Sequence, residues 1–249
     1  MLLRSLNRRR RDEEGTVQSG MPRRLQGVLD DKARFLQIAF NYDASMVATL
    51  LPRIPYSDRI MIEAGTPYIK REGMNGLRLI RRLWPGKIVA DIKVTDGASG
   101  EVQMASAAGA SAVTVLGNAP HETIEIFIQR CEQLGLVSMI DMIGVKDPLD
   151  VLRPLKKPPR VVVLHLGRDE ESTRGKLIQY RHVTRIRNKF PVIISAAGGV
   201  GIREARSAIF NGANIVVANL VQPGDNWTGI STAEDISKMA QLFLETIES

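Results

Sequence analysis

The chain has one cysteine, Cys131, in 249 residues, so an intrachain disulfide framework is excluded. That usage fits a reducing compartment and leads to the expectation of a cytoplasmic protein. No apolar run approaches the roughly 18 residues that a spanning helix needs, so no membrane partner is expected. The opening MLLRSLNRRRRDEEG carries charge where a signal peptide carries its apolar core. Aromatic residues make up 5% of the chain, and residues 1–24 contain none. A basic segment without aromatics has no platform on which single-stranded bases could stack.

The formal net charge is +7. Residues 1–24 contribute +4 of it, seven arginines against Asp12, Glu13 and Glu14, which leaves +3 for the rest. The run Arg8–Arg11 could touch nucleic acid or acidic surfaces. The simpler reading is a solvated, flexible basic extension over residues 1–30, with nucleic acid not expected as a partner. Hydrophobic content of 44% and charged content of 24% describe an ordinary globular domain over residues 31–249.

Within that domain short apolar, β-branched runs recur: FLQIAF (35–40), RIMIEA (59–64), KIVADI (87–92), SAVTVL (111–116), LVSMID (136–141), RVVVLHL (160–166), PVIISAA (191–197) and NIVVAN (214–219). Helix-like stretches separate them. NGLRLIRRLW (75–84) sets Leu77, Ile80 and Leu83 against arginines, and PHETIEIFIQRCEQLG (120–135) ends in Gly135 as a C-cap candidate. AGAS (108–111) and NGAN (211–214) read as glycine-mediated helix exits. Eight strand–helix units over about 215 residues match a (β/α)₈ TIM barrel. A doubly wound open sheet is the rival, because periodicity does not say whether a sheet closes.

Barrel chemistry sits at the C-terminal ends of strands. The polar residues there are Asn41, Glu63, Asp91, Lys93, Asp96, Asp141, His165, Arg168, Asp169 and Asn219, with the glycines of AAGGVG after the seventh run. Glu63 and Asp91 fall on neighbouring strands, and two carboxylates with water suit octahedral Mg²⁺. Lys93 lies two residues past Asp91, on the same pleat face, where its ammonium would hold a developing oxyanion. His165 can move protons near neutral pH. The glycines Gly198 and Gly199 before a helix offer bare amides to a phosphate. Each feature also has a plain structural reading: a core histidine, a turn glycine, or Asp91–Lys93 as a buried ion pair. His121 and His182 fall in helical stretches and read as surface residues, and Cys131 reads as packed.

The segments IEAGTPYIKREG, VADIKVTDGASGEVQMASAAGASAVTVLGNA and HLGRDEES resemble the orotidine 5′-phosphate decarboxylase superfamily, and most of all its 3-hexulose-6-phosphate synthase branch. The Asp-x-Lys-x-x-Asp motif, here Asp91, Lys93 and Asp96, carries the likeness, which runs from about residue 34 to about residue 220. The resemblance implies a (β/α)₈ barrel working as a homodimer with shared active sites, Asp96 serving the neighbouring subunit. It implies Mg²⁺ held by Glu63 and Asp91. The implied reaction joins formaldehyde to ribulose 5-phosphate, or runs in reverse, through a metal-stabilised enediolate. Lys93 would stabilise charge and His165 carry the proton. Asn41, Thr114, Asp141, Gly198, Gly199 and Asn219 would hold the phosphorylated sugar. Three departures stand out. Asn41 replaces the usual aspartate. Ala218-Asn219-Leu220 replaces a glycine-rich phosphate segment. Arg168 matches a 3-keto-L-gulonate 6-phosphate decarboxylase rather than a synthase. That decarboxylase, or a non-catalytic barrel serving as a binding protein, are the alternatives.

Overall fold

The computed structural model describes residues 29–174 and 178–249; the basic extension lies outside them except for its last two residues. Of those two, Leu29 is buried and its carbonyl accepts from Arg160 Nη2.

The eight expected runs are eight parallel strands: β1 (Phe35–Phe40), β2 (Ile60–Ala64), β3 (Lys87–Val94), β4 (Ala112–Leu116), β5 (Val137–Asp141), β6 (Val161–His165), β7 (Ile193–Ala197) and β8 (Ile215–Val221). Each pairs with the next, and β1 pairs with β8 from Phe35↔Ile215 to Ala39↔Asn219, so the sheet is a closed barrel and the open-sheet rival falls away. A two-residue β9 (Ile230–Ser231) adds to β8 through Leu220↔Ile230; its brevity leaves no periodic signal to read.

Helices α1 (Ala44–Leu50), α2 (Thr66–Leu83), α3 (Ala98–Ala107), α4 (His121–Gln133), α5 (Pro148–Leu152), α6 (Arg168–Arg174), α7 (Arg181–Arg187), α8 (Ile202–Phe210) and α9 (Ile236–Glu248) surround it. Local chemistry sets their ends. Asp43 caps α1 by accepting from the Met46 amide, and Asp235 caps α9 from Ser237 and Lys238. Gly109, Gly135 and Gly212 leave α3, α4 and α8 with φ of 97°, 67° and 92°, a conformation glycine adopts without a Cβ penalty.

Strand alternation divides the core in two. Even-numbered positions such as Leu36, Ile38, Ile62, Ile88 and Val162 pack outward against helix residues including Leu77, Ile80, Phe127 and Phe243. Each such buried side chain contributes about 1.5–3 kcal/mol. Phe35, Ala39, Met61, Val89, Val137, Met139, Val161, Val163, Ile193, Ile215 and Val217 fill the interior with Ala112. That plug seals the barrel below its mouth.

Two sequence expectations are corrected. His182 is buried, not a surface residue, because α7 turns it inward with Val183 and Ile186. Burial lowers its pKa, and Arg185 and Asp147 lie beside it. Lys93 does not follow regular pleat alternation. The β3–β4 register jumps from Ala90↔Val113 to Val94↔Val115, and Lys93 takes φ 48°. A bulge, rather than the pleat, aims its side chain.

Candidate active site

The inward positions nearest the C-terminal ends of the strands are polar. Gln37 comes from β1, Glu63 from β2, Asp91 from β3, Thr114 from β4, Asp141 from β5, His165 from β6 and Asn219 from β8, and all line one cavity of about 240 Å³. At roughly 30 Å³ of liquid per water, that space suits a small molecule rather than a polymer.

The charged groups touch in sequence. Lys93 Nζ lies 3.1 Å from Asp91 and also pairs with Asp141. Asp141, 2% exposed, has both carboxylate oxygens 2.9 Å from His165 Nδ1 and accepts the Ile143 amide at 3.0 Å. Thr114 Oγ1 donates to Asp91 Oδ1 and Thr66 Oγ1 to Asp91 Oδ2, both at 2.8 Å. The Thr114 oxygen also accepts the Lys93 amide at 3.0 Å, which pins the bulge. Gln37 Nε2 donates to Glu63, while its own Oε1 is buried without a partner.

Electrostatics follow from that geometry. Burial would raise the Asp141 carboxyl, but His165 and Lys93 together hold it well below the usual carboxylate range. Burial would depress Lys93, and Asp91 and Asp141 instead push it above the ordinary lysine value. Burial likewise works against a charged His165, and the Asp141 carboxylate overrides it, so the imidazole pKa is raised. Glu63 behaves oppositely. Burial, then repulsion from Asp91, pushes its carboxyl up to about 7 despite the Gln37 hydrogen bond.

Glu63 and Asp91 are hard oxygen donors on adjacent strands whose mutual repulsion a divalent cation would relieve, so the residues fit Mg²⁺. Among the described residues no group of three or more His, Cys, Asp or Glu stands at metal-ligand spacing.

Other expected residues are placed less uniformly. Asn41 Nδ2 donates to Asn219 Oδ1 at 3.0 Å, linking the ends of β1 and β8. Asn41, Arg168 and Gly198 line the cavity. The Arg168 guanidinium stacks 4.8 Å over the Trp227 ring. Gly199 faces Glu171 rather than the cavity. Asp96 is exposed, accepts the amide of Gly97, and does not join this chain's site.

Sequence reading missed Gln37, Thr66 and Trp227. Gln37 was detectable, being a polar residue four positions before Asn41 on the same strand face. Thr66 opens a helix, and Trp227 comes after the last periodic strand, so neither carried a signal.

A family model described as orotidine 5′-phosphate decarboxylase / HUMPS matches residues 35–218. Similar curated proteins are bifunctional Fae/Hps enzymes. That of Methanothrix thermoacetophila is 35% identical over 216 residues, covering 86% of this chain and 53% of that protein. That of Methanosarcina barkeri is 34% identical over 215 residues, covering 86% and 52%. The chain thus spans about half the length of the curated relatives it matches. Among solved structures, 3-hexulose-6-phosphate synthase from Salmonella typhimurium aligns with a TM-score of 0.75 at 25% identity, covering 86% of this chain and 98% of that one. The 3-keto-L-gulonate-6-phosphate decarboxylase from Vibrio cholerae shares the fold with a TM-score of 0.65 at 21% identity, covering 87% and 98%.

Proposed function

Because the chain belongs to the orotidine 5′-phosphate decarboxylase / HUMPS family, we propose that it is a carbon–carbon lyase of the 3-hexulose-6-phosphate synthase kind. It joins formaldehyde to ribulose 5-phosphate or runs the reverse. The observation that carries this reading is the contact chain Asp91–Lys93–Asp141–His165 at the barrel mouth, in a chain 35% identical to a Fae/Hps enzyme.

The ligands Glu63 and Asp91 would hold Mg²⁺, which when bound supplies a Lewis acid beside substrate oxygens that gain negative charge. The chain's own groups do the rest. With Asp141 accepting from His165 Nδ1, Nε2 is the ring nitrogen left to move a proton. Nε2 takes a proton from C1 of ribulose 5-phosphate, giving an enediolate. C1 of the enediolate then bonds the formaldehyde carbon as the C2 carbonyl re-forms; the formaldehyde C=O π bond opens to an alkoxide, which takes the proton back from His165 Nε2 and ends as a hydroxyl. Lys93, charged throughout because Asp91 and Asp141 hold its proton, stabilises the oxyanions. Thr114 and Thr66 orient Asp91. Asn41, Asn219 and Gly198, which line the cavity, would hold the phosphorylated sugar. We assign the enzyme to the cytoplasm as a homodimer, in which the exposed Asp96 reaches the neighbouring site.

Arg168 favours a second reading, decarboxylation of a 3-keto-L-gulonate 6-phosphate-like substrate, since a guanidinium at the cavity wall can assist protonation of the same enediolate. One pair of assays separates the two. Formaldehyde consumption that depends on ribulose 5-phosphate and Mg²⁺ supports the synthase. Carbon dioxide release from the keto acid, without formaldehyde consumption, replaces it with the decarboxylase.

A further inference from the structure

The two carboxylates that fit a cation are held very differently. Asp91 receives Thr114 Oγ1 and Thr66 Oγ1, each at 2.8 Å, and Lys93 Nζ lies 3.1 Å away. Glu63 stands between Ala39 of β1 and Val89 of β3, whose side chains offer no donor. Among the described residues the one hydrogen-bond donor to Glu63 is Gln37 Nε2.

Gln37 lies two residues before Ala39 on the same inward face, level with Met61 of β2 and Val217 of β8. Those neighbours belong to the apolar plug, and a buried amide in such a layer is unfavourable unless it is bonded. Its nitrogen reaches Glu63, while its oxygen is buried with no partner. The opposite orientation would set oxygen against carboxylate. The observed one keeps the Glu63 contact and leaves Oε1 unsatisfied. The amide's one polar contact is therefore with Glu63.

We propose that Gln37 is a positioning residue for the metal site, its Nε2 fixing the Glu63 carboxylate in the orientation that takes a divalent cation together with Asp91. The inference rests on the Mg²⁺ reading above and deepens it. A ligand carboxylate that nothing orients must be ordered when the ion binds, and loss of such an outer donor weakens metal affinity by about 10–100-fold. Glu63 has no second donor to take over, whereas Asp91 keeps two partners when one is removed.

The test uses Mn²⁺ alone as the probe, an ion of the same octahedral oxygen preference as Mg²⁺. It is added to the full chain without substrate at pH 8, well below the melting temperature, and the free ion is counted by electron paramagnetic resonance. Gln37→Leu completes the apolar layer and removes the donor. Its Mn²⁺ dissociation constant should rise at least about tenfold, with circular dichroism unchanged. Met61→Leu repacks the same layer and leaves the Gln37–Glu63 contact in place, so its affinity should stay within about twofold of wild type. Gln37→Leu binding Mn²⁺ within about twofold of wild type, while Glu63→Gln loses the ion, overturns this proposal alone. An equal loss in Met61→Leu also overturns it, because the effect would then be one of packing. A wild-type chain that takes up no Mn²⁺, or Glu63→Gln binding as wild type does, overturns the Mg²⁺ reading and this proposal with it. If Gln37→Leu fails to fold, Gln37→Met, unbranched and without a donor, is read by the same criteria.

Discussion

Asp141→Asn replaces one carboxylate oxygen with an NH₂ at the centre of the site. The wild-type carboxylate accepts from Lys93 Nζ, His165 Nδ1 and the Ile143 amide. An asparagine retains one acceptor and turns an NH₂ toward either the ammonium or the imidazole. A unit charge pair about 4 Å apart at an effective dielectric near 20 is worth about 4 kcal/mol. Removing one partner of such a buried set costs about 3–5 kcal/mol of stability. For activity, losing the carboxylate that fixes a catalytic imidazole's tautomer costs about 10⁴ in the best-studied hydrolytic triad. With Lys93 still beside Asp91, kcat should fall by about 10²–10⁴. The pH signs are opposed and overlap. Asp141, with its pKa depressed, stabilises the fold above the usual carboxylate range, and that is lost as pH falls through its lowered value. His165, with its pKa raised, stabilises the fold below the usual histidine range, and that is lost as pH rises through its raised value. The stability deficit of Asp141→Asn should therefore peak in weakly acidic solution, between the two ordinary ranges. Urea unfolding across pH, kcat with formaldehyde and ribulose 5-phosphate, and ¹⁵N shifts of the His165 ring measure the three effects. A variant within threefold of wild-type kcat, with the ring tautomer unchanged, would refute the reasoning.

Lys93→Ala leaves three acids facing one another without their ammonium. Losing the oxyanion contact should lower kcat by at least about 10²–10³, with the secondary structure intact by circular dichroism and the melting temperature reduced. Glu63, raised from 4.5 to about 7, keeps a proton in the folded chain that the unfolded chain has released. In EDTA, stability should thus fall by roughly 3 kcal/mol as pH rises through that interval. Glu63→Gln should flatten the dependence, and Mg²⁺ at pH 8 should raise the melting temperature of wild type but not of Glu63→Gln. A Cβ on Gly65 would overlap Asn41 Oδ1 and approach the Phe40 carbonyl to 2.9 Å, so Gly65→Ala should cost about 1–3 kcal/mol in urea unfolding and raise KM. Asn41→Asp should increase kcat without loss of stability, because Asn219 can turn its amide to donate across the same gap; a large drop in melting temperature would show that it cannot.

The eight strands were legible because a parallel barrel buries both faces of each, giving apolar runs that stand out against charged helices. Their C-terminal polar residues were legible for the same reason, since an acid in such a run needs a task or a partner. What the sequence hid is non-local. α2 was read from 75 but begins at Thr66, with a break at Gly73 (φ 59°) that interrupts its periodicity. His182 looked like a surface position because α7 has only seven residues, too few to phase a helix face. The GGVG stretch read as a phosphate cradle, and only the packing of α6 shows that Gly199 stands against the Glu171 side chain rather than the cavity.

The bulge in β3 explains how one strand contributes both an acid and an amine. Had β3 stayed regular, Lys93 would stand about 6–7 Å further along the strand than Asp91, level with the loops and nearer to water. The left-handed turn at Lys93 instead folds the side chain back, so that Nζ contacts Asp91 and reaches across to Asp141. Such a conformation costs a non-glycine residue of order 1–3 kcal/mol. It is offset by the two ion pairs and by the hydrogen bond from the Lys93 amide to Thr114. The plug of Met61, Val89, Met139 and Val163 below excludes water from one side of the cluster, which strengthens each of those contacts. Strain, plug and charge depend on one another. A barrel with a regular β3 would keep its acids and lose the ammonium between them, and the repulsion that already lifts Glu63 would then fall on all three.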